Sequence, residues 1–331
     1  LKSIYAIALC VAGLAVAQEP TPVPTPDPAD AGAVAPNAQP TTAAPAPTVN
    51  APESVPWWKH FEPFGYAKLG VFYTLPTRDE QIPGGNGGFR AVNLRLGMIY
   101  KPIDDLEVVA SIEGAAPQPS STDPTSGSRI VSLRDAYAEY KVCSGLLVRA
   151  GQFKAPFWGE TLLPDGQLPF VSRSIVSEGY GAPEFAGQRD GLTLDRQVGV
   201  QLSSRRLGST NIGFKYAVAV VNGNGANQLL NDNNSVAPVG RVELELFEHV
   251  TISANGYYNQ KSEGQRPNRL LSNQIGYGAD ISAHAIGFNV LVGYLGKSIS
   301  FQNAALKDDT AMGILGQVSY FHEGTGLSGG V

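Results

Sequence analysis

The chain has 331 residues, 43% of them hydrophobic and 16% charged, with a formal net charge of −5. That balance is too apolar for wholesale disorder and too evenly interrupted for a helical membrane protein, because only the first stretch could span a bilayer as a helix. Thirty-eight glycines suit a protein of strands and turns.

Residues 1–17 read as a secretory signal peptide. Lys2 supplies the positive start, Ile4 to Val16 an apolar core too short for comfortable spanning, and Ala15-Val16-Ala17 a small-residue cleavage site. Cys10 falls in this segment, and Leu9 before it is too large for a lipidation site. Cys143 is then alone, with no disulfide partner and no companion ligands for zinc. Residues 18–56 are rich in Pro, Ala and Thr and form a disordered, semi-rigid linker, or alternatively a tether or a cap near the periplasmic mouth. Trp57-Trp58 mark the approach to a barrel domain over 57–331, since Trp favours the membrane interface.

From there the dominant signal is alternation. Leu69, Val71 and Tyr73 alternate with Lys68, Gly70 and Thr74. Val92, Leu94, Leu96 and Met98 alternate with Asn93, Arg95 and Gly97. The same period runs through 106–113, 197–202, 212–220, 241–246, 250–258 and 275–282, and less cleanly near Ile286–Leu295 and Met312–Tyr320. Counting one hairpin at 133–154, this makes about twelve strands of roughly ten residues. Tyr73, Tyr100, Tyr258 and Tyr294 are expected near strand ends, and connections such as KPIDD are short where others, such as NGNGANQLLNDNNS, are long. A transmembrane antiparallel β-barrel has this pattern, with lipid outside and water inside. A secreted β-sandwich also alternates, but with shorter strands and an apolar interior.

The hairpin organises the rest. Tyr137 and Tyr140 favour a first strand, Cys143-Ser144-Gly145 a tight turn, and Leu146–Phe153 a second strand. Pro156 has no N–H to donate and ends the ladder. About forty Gly- and Pro-rich residues follow before alternation resumes near Gln197, and a loop of that length inside a regular β chain is usually functional. Folded into the lumen it becomes a constriction loop, with Lys154, Arg173, Arg189 and Asp190 at the narrow section. In the alternative reading these cations pair with Glu160, Glu178 or Asp190 and brace the loop. Lys68, Arg95, Lys215, Arg241, Glu243 and Glu245 belong to the lumen wall, and the parity of Arg149 is ambiguous.

The runs RDAYAEY, VRAGQFKAPF, PFVSRSIVSEGYGAP and GQRDGLTLDRQVGVQL, with the later YAVAVVNGNGANQLLNDNN, resemble the phosphate-selective porin O/P family of bacterial outer membranes. The resemblance covers roughly Phe61 onward. It implies a channel, a homotrimer, often anion selectivity and a sixteen-strand barrel. The expectation is therefore that about twelve strands are present of sixteen and that the chain is truncated at its C-terminus. Ser172–Ser174 and Gln188–Gly191 are the loop positions that match. Charge does not itself argue for anions, because residues 154–190 hold three basic side chains against five acidic ones.

No catalytic set is present. His60, His249, His284 and His322 are scattered, no G-x-S-x-G or Walker pattern occurs, and the NDNN run at 231–234 lacks the spaced carboxylates of a calcium loop. The sequence reading is an outer-membrane porin for passive diffusion of small hydrophilic solutes or ions. It needs outer-membrane lipid, no cofactor and no nucleic acid. The alternatives are a secreted β-sheet glycoside-active protein using Glu243 and Glu245 as paired carboxylates, and an adhesive or structural outer-membrane barrel.

Overall fold

A computed structural model describes residues 7–10, 56–73, 88–117, 129–170, 173–178, 191–225, 227–228, 230–263, 269–303, 306–322 and 327–331. The strands are β1 (Ile7–Cys10), β2 (Phe61–Tyr73), β3 (Gly88–Ile103), β4 (Leu106–Pro117), β5 (Arg129–Cys143), β6 (Leu146–Lys154), β7 (Arg196–Ser203) and β8 (Leu207–Gly208). They continue as β9 (Ile212–Val221), β10 (Ala237–Leu246), β11 (Val250–Glu263), β12 (Leu270–Ala285), β13 (Phe288–Phe301), β14 (Asp309–His322) and β15 (Leu327–Gly330). All lie in one antiparallel sheet in sequence order, with β8 a side branch on β9. Twelve of them, β2 to β7 and β9 to β14, are eight to sixteen residues long. Among the described residues no ladder joins β2 to β14. Ile7–Cys10, within the segment read as a signal, pairs with Gly70–Tyr73 of β2.

Short and long connections alternate along the sheet. Two short turns use the left-handed backbone that matches strand twist: Phe247-Glu248, with φ of 51° and 61°, and Ile286-Gly287, with φ of 51° and 79°. The second corrects the strand start expected at Ile286, which sits fully out at the turn while β13 begins at Phe288. Tyr294 likewise lies within β13 beside Tyr277, at a ring separation of 6.2 Å, and not at a strand end. Tyr100 does lie near the end of β3 and stacks on Phe61 at 4.4 Å.

The two faces are inverted relative to a soluble protein. Leu94, Leu96, Val242, Leu244, Ile275 and Ile281 are exposed, whereas Arg95, Ser111, Glu113, Arg241, Gln274 and Asp280 are buried. In β12 the alternation runs unbroken from Ser272 to Ile281. A β-sandwich would bury the first set. Here the apolar groups form the outer surface and the polar groups turn inward, so the sheet is a transmembrane β-barrel of the outer-membrane type. The chain therefore resides in the bacterial outer membrane.

The inner face is not polar throughout. Ala219, Val221, Val239, Tyr257, Leu295 and Leu315, on β9, β10, β11, β13 and β14, pack with Phe153, Ala155, Phe157 and Trp158 into one buried apolar cluster. This core sits inside the barrel and receives the segment after β6.

Because Val242 lies mid-strand on the lipid face, Val242→Arg should cost about 2–4 kcal/mol of folding stability in lipid vesicles. Thr251→Arg, on the opposite face, should leave it nearly unchanged. Denaturant titration of vesicle-reconstituted protein measures both.

Candidate functional site: the lumen and its inward loop

The segment after Lys154 turns inward because its first residues are apolar and the wall offers room for them. Trp158 is fully buried, with φ at 66°, a conformation that persists only when the surroundings over-determine it. Its indole lies against Gly293 of β13, where an added Cβ would come within 2.5 Å of the ring. Phe157 packs edge-on against Tyr257 at 4.9 Å. A short helix follows, α1 (Gly159–Leu162), whose Gly159 N–H donates to Asp280 at 3.3 Å.

Glu160 is buried and accepts hydrogen bonds from Ser174 N at 2.9 Å, Ser174 Oγ, Ser177 Oγ and Gln317 Nε2 at 2.7 Å. It thereby ties α1 to a second short helix, α2 (Ile175–Glu178), and both to β14. Val176 of α2 covers Gly313 on the same strand. Between the helices the chain crosses to the opposite wall. Asp165 meets Arg95 of β3 at 2.6 Å, Gly166 lies against the Tyr66 ring, and Phe170 O accepts from Lys68 Nζ at 2.6 Å.

Charges in the lumen fall into two networks. In the first, Arg95 faces Asp165 at 2.6 Å, Glu113 at 3.5 Å and Asp135 at 3.9 Å, and Arg196 binds Asp135 at 3.0 Å. Arg173 pairs with Asp165 and with Glu178 at 3.4 Å, and donates to the Glu160 and Leu163 carbonyls. In the second, Arg241 grips Asp280 with two bonds of 2.7 and 2.9 Å and Glu243 with one of 2.6 Å. Lys215 pairs with Glu243 and Glu245, and Arg206 with Glu245 at 2.7 Å. Burial pushes the Asp165 carboxyl up, but Arg173, Lys154 and Arg95 override it and hold the group well below the usual carboxylate range.

Thus Lys68, Arg95, Lys215, Arg241, Glu243 and Glu245 all turn inward, each engaged with the loop or with an opposite charge. Arg173 is bonded to the loop's own groups. Lys154 donates to Leu163 O, and among the described residues no carboxylate lies within ion-pair distance of it. Arg189, Asp190 and Ser172 lie outside the described residues. Sequence reasoning missed Asp135 and Arg196 and left the direction of Arg149 open. Arg149 faces the lumen, bonded to Glu139 at 2.6 Å and 4.3 Å from the Tyr137 ring centre. Its parity was obscured because Gly151, at φ 128°, breaks the regular pleat two residues later.

Between the loop and the short-turn end lie two cavities of about 650 and 580 Å³. They share Leu162, Pro164, Gln167, Lys215, Arg241 and Glu243, and so form two lobes of one vestibule roofed by the loop.

No protein-family model matches the chain. No curated protein matches it either. Among solved structures, the anion-selective porin from Comamonas acidovorans is 12% identical with a TM-score of 0.48, over 80% of this chain and 75% of that one. The in-vitro folded, trimeric form of OmpT, an outer membrane protein of Vibrio cholerae, is 10% identical with a TM-score of 0.36, over 79% and 82%. A loop L8 deletion mutant of that protein has a TM-score of 0.37 at 10% identity, over 79% and 89%.

Two predictions follow from the anchors. Gly293→Ala should displace Trp158 at a cost of about 1–3 kcal/mol and shift tryptophan emission to the red, since Trp57 and Trp58 are already exposed. The second concerns pH. A depressed carboxyl stabilises the fold above its unfolded value, near 3.9, and that contribution disappears as pH falls through the lower folded value. Asp165 should therefore hold the loop from neutral pH down past about 4 and release it only below. Conductance recorded against pH should be level across that range and rise beneath it.

Proposed function

We propose that the chain is a porin: a water-filled, passive channel for small hydrophilic solutes and ions, narrowed by its inward loop. The observation that carries this reading is the loop itself, bonded to β3 through Asp165 and to β14 through Glu160, above a continuous vestibule. A structural or adhesive barrel has no need to hold a buried strap across its lumen beside open space. Glu243 and Glu245, the pair a glycosidase would use, are engaged by Lys215, Arg206 and Arg241. The reading involves no turnover and no cofactor.

Selectivity in this reading is a mild preference for anions, centred on Lys154. The other lumen cations discussed above face carboxylates or loop carbonyls, which cancel most of their field on a passing ion. Lys154 shares the Leu163 carbonyl with Arg173 and acts on Asp165 from a distance, but among the described residues no carboxylate lies within ion-pair distance of it, so more of its field reaches a passing ion. Phosphate-type selectivity belongs to the same proposal, as does assembly into a homotrimer in outer-membrane lipid. So does removal of residues 1–17, which would free the edge of β2 that Ile7–Cys10 covers.

Reversal potentials across a potassium chloride gradient test the selectivity. The wild type should favour chloride, Lys154→Gln should be near neutral and Lys154→Glu should favour potassium. Equal potentials for all three would remove Lys154 from the ion path.

A further inference from the structure

The larger vestibule lobe, about 650 Å³, falls within the usual size of small-molecule sites. Its lining mixes charges of both signs, among them Arg149, Arg196, Glu107 and Asp135, with an apolar stretch. Tyr137, Leu162 and Pro164 give it apolar walls, the last two from the loop. At one end Lys154 Nζ and Arg173 Nη2 both donate to the same oxygen, the Leu163 carbonyl, the second at 2.7 Å. Two cations thus converge on a single neutral acceptor. Arg173 is satisfied by Asp165 and Glu178, but an ammonium has three donors and Lys154 has one described acceptor.

Two further groups lining the lobe are incompletely bonded. Arg95 Nε and Tyr66 Oη are both buried, and neither has a hydrogen-bond partner. Buried polar atoms of this kind call for a water or a ligand group. Arg149, by contrast, is held by Glu139 and lies over the Tyr137 ring, which fixes that ring as part of the wall.

We infer that this lobe binds small anions that carry a flat apolar body, namely aromatic monocarboxylates, with the carboxylate on Lys154 and the ring between Tyr137, Leu162 and Pro164. A bare inorganic anion would use only the Lys154 end, and a neutral aromatic only the walls. The inference deepens the channel reading by naming a solute class, and it rests on that reading for its physiological meaning.

The probes are benzoate, acetate and benzyl alcohol, titrated calorimetrically into the detergent-solubilised protein and added separately to single channels carrying chloride current. Benzoate should bind at least about tenfold more tightly than acetate, the increment expected from burying one ring, and at least about tenfold more tightly than benzyl alcohol, which has no carboxylate for Lys154. It should also block the current in the same order. Lys154→Gln should weaken benzoate binding, and Leu162→Ser should weaken benzoate while leaving acetate unchanged. Equal affinity for benzoate and acetate in the wild-type protein would overturn the inference without recourse to any variant. An ion-conducting protein with no benzoate preference refutes the site alone. A protein that binds benzoate but carries no current keeps the site and refutes the channel reading.

Discussion

The lumen depends on the contact between Arg95 and Asp165, 2.6 Å apart with both side chains about 5% exposed. Two charges withdrawn from water are unfavourable unless other polar groups surround them. Here Glu113 and Asp135 lie on the Arg95 side and Arg173 on the Asp165 side, so neither ion is left with a single partner. Removing one member would strand the others, a loss of about 3–5 kcal/mol for buried pairs of this kind. That is the scale of force with which the loop is held to β3.

On the far wall the attachment is of a different kind. Trp158 and Val176 fill spaces that Gly293 and Gly313 leave open, and Glu160 accepts a hydrogen bond from the Gln317 amide. The loop is thus held by ion pairs toward β3, and by apolar filling with a few carboxylate hydrogen bonds toward β12 to β14. Salt acts chiefly on the first attachment, while the second responds chiefly to side-chain volume. In the vestibule beneath, one lobe has Tyr137 and Lys154 in its lining, and the other adds Glu245 and Asp280 to the shared Glu243.

Much of this was legible in the sequence, because a strand's period of two writes its burial directly into the order of residues. Val92 to Met98 and Arg241 to Leu246 could be assigned to faces by alternation alone, and Pro156 marked where the ladder after Leu146 must stop. What alternation could not express was an apolar core inside the barrel. Tyr257 and Leu295 share the inner face with polar neighbours, and only the arrival of Phe157 and Trp158 from a distant segment explains them. Nor do pairings such as Arg196 with Asp135, 61 residues apart, or Glu160 with Gln317, 157 apart, leave any local trace. Nor does anything local mark Gly293 and Gly313 as the residues that shape the loop's seat.

The central claim is that the inward segment sets the width of the pore. Single-channel conductance of the full chain, against a variant in which residues 157–190 are replaced by a short Gly-Ser connection, tests it most directly. The account predicts a clear rise in conductance and passage of larger uncharged solutes through the variant. Equal conductance and an equal size limit in the two proteins would contradict it.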